Sequence, residues 1–207
     1  MEETTRRVAK ALFESGAVKF GEFTLTSGKK SPYYIDLRAV PSFPEQFDAV
    51  TDAYKDMIME KTGGKCTLVG VPTAGLPFAS VVGYKAKIPV AYIRKEALKE
   101  AKREHGTGKE IEGVIRDDMP PVLVDDLIST GKSNREANNV MKRNGFTVTE
   151  VFLLVDRQMD GVAALAAEGL NVHCVAKVLD IVDVLEADGL LEKGLADKVR
   201  EYTGAGK

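Results

Sequence analysis

Two adjacent carboxylates followed by a run of small polar residues make Pro121–Ser133 the segment best suited to chemistry. It reads P-V-L-V-D-D-L-I-S-T-G-K-S. Val122, Leu123 and Val124 form an apolar run too short for a helix, so they predict a buried strand that ends at Asp125 and Asp126. Beyond Leu127 and Ile128, Ser129-Thr130-Gly131-Lys132-Ser133 supplies a turn that opens a helical stretch. Free backbone N–H groups at such a turn and helix start hold a phosphate well. Acids one step ahead of a phosphate cradle suit a ligand with sugar hydroxyls beside a phosphate, as in a phosphoribosyl group. Gly131-Lys132-Ser133 also matches the end of a nucleoside-triphosphate loop, but that motif needs a glycine where this chain has Asp126. The plainer reading is that the acids merely end a strand and Ser129 caps a helix.

Three further segments carry groups that could meet such a ligand. Phe23–Arg38 mixes aromatic rings with a basic, glycine-containing turn, which suits a planar anion: a ring stacks while a cation pairs with the charge. The same residues also read as a β-hairpin with Ser27-Gly28-Lys29-Lys30 as its turn and Tyr33 and Ile35 facing the core. Arg94–Lys109 starts with two basic residues at a strand end and runs through charged residues to His105 and a glycine-flanked turn. Glu96, Glu100 and Glu104 recur every four residues, as on a solvated helix. The alternative is a flap whose cations close over a polyanionic leaving group and exclude water. In Val155-Asp156-Arg157-Gln158 an arginine follows a strand, and its planar fork suits a carboxylate.

The elements that must position these groups alternate along the chain. A helix is expected from Thr4 or Thr5, with Val8 and Leu12 on one face and Gly16 past its end. Ser42-Phe43-Pro44-Glu45 reads as a capping box. The helix it starts carries Phe47, Val50, Tyr54 and Ile58 and stops at Gly63-Gly64. Strands are predicted at Cys66–Val71, Val90–Ile93, Val122–Val124, Val151–Val155 and Val172–Val178. Helices are predicted at Leu76–Lys85, Ser133–Asn144 and Val162–Glu168. Apolar strands alternating with helices predict an α/β fold, a parallel central sheet flanked by helices. Ligands of such sheets bind beyond the carboxyl ends of the strands. Three of those ends are polar or glycine-rich here: Gly70–Gly75, Arg94-Lys95 and Asp125-Asp126.

The bulk numbers narrow the class. The 207 residues, 44% hydrophobic and 29% charged, fit one substantial soluble domain with small additions. A net charge of −2 gives no case for nucleic-acid or anionic-membrane binding. Cys66 and Cys174 sit apart in apolar runs without metal-type spacing and read as buried thiols of a reducing compartment. The N-terminus lacks an apolar signal core and no stretch reaches transmembrane length, so a cytoplasmic location is expected.

Taken together, T-S-G-K-K-S-P-Y-Y-I-D-L-R, R-K-E-A…H-G-T-G-K, V-L-V-D-D-L-I-S-T-G-K-S and V-D-R-Q resemble the orotate phosphoribosyltransferases. The resemblance spans nearly the whole chain, including the C-terminal L-D-I-V-D-V-L stretch. It implies the type I phosphoribosyltransferase fold over 1–207, with a small N-terminal hood at about 1–40 and a flexible flap at about 95–112. The implied reaction joins orotate to 5-phosphoribosyl 1-pyrophosphate (PRPP), giving orotidine 5′-monophosphate and pyrophosphate in pyrimidine biosynthesis. Displacement at the anomeric carbon needs neutralised pyrophosphate charge and a held sugar, with no covalent nucleophile.

By the same resemblance, Asp125 and Asp126 face the ribose hydroxyls, and Asp126 is counted with Lys102 as catalytic. Leu127 and Ile128 lead into Ser129, Thr130, Gly131, Lys132 and Ser133, which cradle the 5′-phosphate. Arg94, Lys95, Lys99, Lys102 and His105 meet the pyrophosphate. Ser129, Arg157, Tyr34 and Ile35 address orotate. Mg²⁺ is implied as cofactor, held through PRPP and water rather than by protein ligands. A homodimer is implied, the flap of one protomer reaching its partner's site, with no nucleic-acid or membrane partner. The chain departs from the family pattern at Thr26 and Ala74, where lysine is usual, and its flap is longer than R-K-E-x-K-x-H/Y-G. Counting from Arg94 reaches Leu98 and counting back from His105 reaches Arg103; Lys102 is preferred as the flap cation, with Lys99 second. Two other functions are compatible with the fold: transfer to another base, such as a purine, and a non-catalytic nucleic-acid-binding regulator.

Overall fold

In the computed structural model, residues 2–24, 28–98 and 109–204 are described. The apolar runs form strands β3 (Thr67–Gly70), β4 (Val90–Ile93), β6 (Pro121–Ile128), β7 (Glu150–Asp156) and β8 (Asn171–Lys177), with β5 (Ile111–Glu112) beside β4. They make a six-stranded sheet in the order β5-β4-β3-β6-β7-β8. All pairings are parallel except β4 with β5, which is antiparallel. The sheet is therefore mostly parallel, with one short antiparallel edge strand that the period of the sequence does not reveal.

Burial on both faces explains the uninterrupted apolar strands. Leu68, Val122, Val124, Phe152 and Leu154 join the core beneath α1 (Glu2–Glu14), α2 (Pro44–Thr62), α3 (Gly75–Ala86), α6 (Val178–Ala187) and α7 (Lys193–Thr203). Val69, Ala91, Leu123, Val151 and Leu153 join the other core, with Ala137, Val140 and Met141 of α4 (Lys132–Arg143) and Leu165 of α5 (Gly161–Ala167). Two helices beyond those predicted, α6 and α7, thus complete the first face.

Several expected boundaries shift for physical reasons. The strand at Val122–Val124 continues through both acids, because Leu127 and Ile128 still pair with Val155 and Asp156 of β7. The acids are therefore inside β6 rather than past its end. Ser42 does not cap α2. A 3₁₀ turn occupies Leu37–Ser42, the N–H of Phe43 bonds Val40, and α2 starts at Phe43-Pro44 with no side-chain cap. Its predicted stop is observed: Gly63 adopts φ 60°, which glycine accepts without cost. Cys66 is buried as expected, but Cys174 is only partly so.

Before the sheet, β1 (Val18–Thr24) and β2 (Lys30–Ile35) form an antiparallel hairpin. Tyr33 is fully buried and Ile35 packs on the core, as the hairpin reading requires. Lys95–Leu98 form a short 3₁₀ turn. Thr26, Lys99, Lys102, Arg103 and His105 lie outside the described residues.

One buried hydroxyl links α2 to the centre of the sheet. Tyr54 is fully enclosed, and its Oη lies 2.8 Å from the carbonyl oxygen of Asp125 on β6 and 2.5 Å from that of Phe152 on β7. The single O–H donates to one of them at a time, so removing it deprives a buried carbonyl of its donor. Tyr54→Phe is expected to cost about 1–3 kcal/mol of stability. Urea unfolding measures this, and an unchanged midpoint would show that the strands do not depend on the hydroxyl.

Candidate functional site

Because β3, β4, β6 and β7 run parallel, their carboxyl ends share one edge of the sheet. That edge gathers Pro72–Gly75, Arg94-Lys95, Asp125–Gly131 and Arg157. Of the predicted groups, the two acids and the Ser129–Gly131 loop form the most closely built part.

Asp125 is buried, and each of its carboxylate oxygens is occupied. Oδ1 accepts the Asp126 N–H at 2.9 Å; Oδ2 accepts from Ser133 Oγ at 3.3 Å and Asn134 Nδ2 at 3.0 Å. The side chain thus binds the carboxyl half of β6 to the first turn of α4. Arg38 lies close enough to Asp126 for its charge to act on that carboxylate. Asp126 Oδ1 accepts the Leu127 N–H at 2.8 Å. Burial pushes Asp125 well above the usual carboxylate range, and the charge of Asp126 adds to this. Burial also raises Asp126, opposed chiefly by the Leu127 N–H. Asn134 donates through Nδ2 while its buried Oδ1 finds no partner among the described residues. Turning that amide over would let it accept from a protonated Asp125.

Between Asp126 and α4 the loop is shaped by close backbone contact. Gly131 has φ 72° and stands at the helix start with no side-chain cap. The first N–H groups of α4 therefore point outward without a cap, at the positive end of the helix. Ser129, Thr130 and Ser133 surround that opening, while Lys132 extends into solvent toward Glu136 at 3.8 Å. Gly161, at the start of α5, braces the loop from behind. Its N–H bonds the Ser129 carbonyl at 2.9 Å, and a Cβ there would lie 2.6 Å from that oxygen and 2.9 Å from the Gly131 nitrogen. Gly75 serves the neighbouring strand in the same way, since its Cβ would lie 2.4 Å from the Val124 carbonyl. Gly75 lies in a strand end that the sequence marks as glycine-rich, whereas Gly161 does not stand out, because the demand for it comes from a distant backbone.

Arg157 follows β7 with its N–H on the Ile128 carbonyl. The guanidinium lies over the Tyr33 ring, 5.1 Å from its centroid. Nε meets Tyr33 Oη at 3.4 Å, and Nη1 meets Ser129 Oγ at 3.4 Å. Among the described residues no carboxylate pairs with it; neighbouring Asp156 is turned to the Gln158 N–H at 2.7 Å. A half-buried guanidinium with only neutral hydroxyl partners, next to the Ser129–Gly131 loop, has the chemistry to receive a carboxylate. Tyr34 is exposed beside Phe23 (ring centroids 5.8 Å apart), and Ile35 is partly buried.

Arg94 and Lys95 stand at the carboxyl end of β4, two strands from β6 in the sheet. Arg94 is drawn toward Glu112 at 3.3 Å. The two stems of the segment between Leu98 and Lys109 meet at Arg143, which donates to the Ala97 carbonyl at 2.6 Å and to Glu110 at 2.8 and 2.9 Å. The reading from sequence missed Arg38, whose forked contacts to Asp36 at 2.6 and 2.9 Å hold it at the Asp126 side. The run D-L-R after the hairpin was its available signal.

Two measurements probe this architecture. Gly161→Ala is expected to cost about 1–3 kcal/mol of stability by overpacking and to weaken PRPP binding in calorimetric titration; unchanged binding would show that α5 does not shape the loop. For Asp125, a raised folded pKa means that the folded protein keeps a proton the unfolded chain loses near pH 4. That contribution to stability is full below pH ~4 and is lost as pH rises toward the raised folded value. Urea midpoints of wild type should therefore fall relative to Asp125→Asn as the pH is raised above about 4; parallel curves would contradict the assignment.

Comparison with known proteins agrees with this geometry. The phosphoribosyl transferase domain family matches residues 39–166. An orotate phosphoribosyltransferase of Cenarchaeum symbiosum (strain A) is 37% identical over 195 residues, covering 93% of this chain and 94% of that protein. The crystal structure of an orotate phosphoribosyltransferase from Aeropyrum pernix has a TM-score of 0.69 at 30% identity, covering 89% of this chain and 99% of the other. The UMP synthase of Leishmania donovani has a TM-score of 0.82 at 31% identity; the match covers 97% of this chain but 42% of that longer one. With its mostly parallel sheet and flanking helices of the type I phosphoribosyltransferase fold, this chain belongs to the orotate phosphoribosyltransferase family.

Proposed function

We propose that this protein transfers the phosphoribosyl group of PRPP to orotate, releasing pyrophosphate and forming orotidine 5′-monophosphate in pyrimidine biosynthesis. The observation that carries the reading is Arg157: half buried, free of acidic partners among the described residues, and in contact with Ser129 of the phosphate loop. A base with a carboxylate supplies the charge it lacks. The adjoining backbone of Tyr34 and Ile35 and the ring of Tyr34 complete a flat slot for the pyrimidine.

The 5′-phosphate takes the uncapped start of α4 with Ser129–Ser133, and Asp126 faces the ribose hydroxyls. Asp125 supports the same end of the sugar from its fixed position on β6. A bond forms between the base nitrogen and the anomeric carbon as the bond to pyrophosphate oxygen breaks; the leaving electron pair stays on pyrophosphate, and the proton of the base nitrogen passes to pyrophosphate or water. Arg94, Lys95 and the flap cations Lys99, Lys102 and His105 balance that charge. Positioning and fixed electrostatics accomplish this without a covalent intermediate.

Mg²⁺ fits this arrangement as an ion carried mainly by substrate oxygens and water. Among the described residues no three acid, histidine or cysteine side chains converge to cage a metal. Asp126 is the half-buried carboxylate nearest the expected ribose. When bound, the ion would neutralise pyrophosphate charge. We also read the protein as a cytoplasmic homodimer sharing its flap across the interface. In support, Tyr84, Tyr92 and Val114 leave large apolar surfaces exposed around α3 and β4–β5. Both cysteines are free, and among the described residues no helix is long and apolar enough to cross a membrane.

Steady-state assays with orotate, uracil and adenine in parallel test the reading. Orotate alone should be turned over efficiently, and Arg157→Ala should lower its kcat/KM by roughly 30- to 1,000-fold, about 2–4 kcal/mol, with little change in the KM for PRPP. Turnover of adenine without orotate would overturn it.

A further inference from the structure

We infer that Tyr33 is the positioning residue for Arg157 and thereby sets how strongly the site prefers a base that bears a carboxylate. This rests on the orotate reading above and goes further, to a side chain that would not touch substrate. Tyr33 is fully buried, whereas the slot residue next to it, Tyr34, is 38% exposed. Its hydroxyl takes the Nε end of the guanidinium and its ring lies under the plane. Ser129 takes Nη1 from the loop side. With those two N–H groups on neutral oxygens, the others remain for a ligand.

The choice of partner matters. An aspartate or glutamate in place of Tyr33 would hold the arginine more strongly but would cancel its charge. A hydroxyl and an aromatic face fix direction while leaving the full positive charge available. Tyr33 is itself held on two sides. Ser31 Oγ donates to its carbonyl at 2.7 Å, and the Tyr202 ring of α7 packs edge-on at 5.9 Å and 86°. The C-terminal helix therefore contributes, through two rings, to the aim of an arginine on β7.

Orotidine monophosphate and uridine monophosphate differ only by the carboxylate, so the ratio of their affinities isolates the contact. Calorimetric titration of the full-length protein with each nucleotide provides it. Tyr33→Phe keeps the ring and removes the hydroxyl; it should reduce the preference for orotidine monophosphate by about 3- to 10-fold, with uridine monophosphate affinity unchanged. Tyr33→Leu, which also removes the ring, should reduce it further. Should Tyr33→Leu fail to fold, Tyr33→Phe decides the matter, with a thermal melt confirming a folded protein. Equal weakening of both nucleotides, or an unchanged ratio while Arg157→Ala abolishes the preference, would overturn the positioning role alone. An unchanged ratio in Arg157→Ala would overturn the orotate reading together with it.

Discussion

The carboxyl group of Asp125 is the point on which the site depends. It is taken out of water and given partners from two elements, the backbone of β6 and the first turn of α4. Fixing those two elements to each other fixes the loop that joins them, since Ser129–Gly131 has little length in which to wander. The cost of burying an acid appears in its raised pKa. What it secures is a helix start that stays aimed without a cap of its own. A conventional serine or aspartate cap would occupy the N–H groups that the proposed reading leaves to the 5′-phosphate.

Charge is arranged by the same economy on the other side of the site. Most basic side chains whose contacts are described have acidic partners: Arg38 with Asp36, Lys85 with Asp48 and Asp52, Arg200 with Asp183 and Glu186. Arg157 is held by neutral groups instead. A site that keeps a charge unpaired while restraining its orientation does not need to rearrange when its counter-ion arrives, which is the condition for strong electrostatic stabilisation.

What was readable in the sequence follows the range of the interaction. The apolar strand runs and the glycine stop at Gly63 are local signals, and both match the structure. The strand, turn and helix around Ser129–Ser133 were legible because the whole motif lies within one βα unit. The end of β6 was misjudged because two acids ordinarily mark the edge of a buried strand; here N–H groups and Asn134 give them partners inside it. Ser42 offered a capping pattern that a preceding 3₁₀ turn overrode. The bracing Gly161 and the Tyr33–Arg157 contact could not be read, the latter because it spans 124 positions. Residue types alone give no sign that such distant partners meet.

Arg143 bears on how freely the segment between Leu98 and Lys109 can change in length. One guanidinium grips the Ala97 carbonyl and the Glu110 carboxylate, so residues on both sides of that segment are anchored to the same side chain. The entropy of joining two anchored points grows only with the logarithm of the connecting length, about 0.6 kcal/mol for each doubling. A longer connection between these two points is therefore a small thermodynamic burden, and its length can change without disturbing the strands that carry the acids.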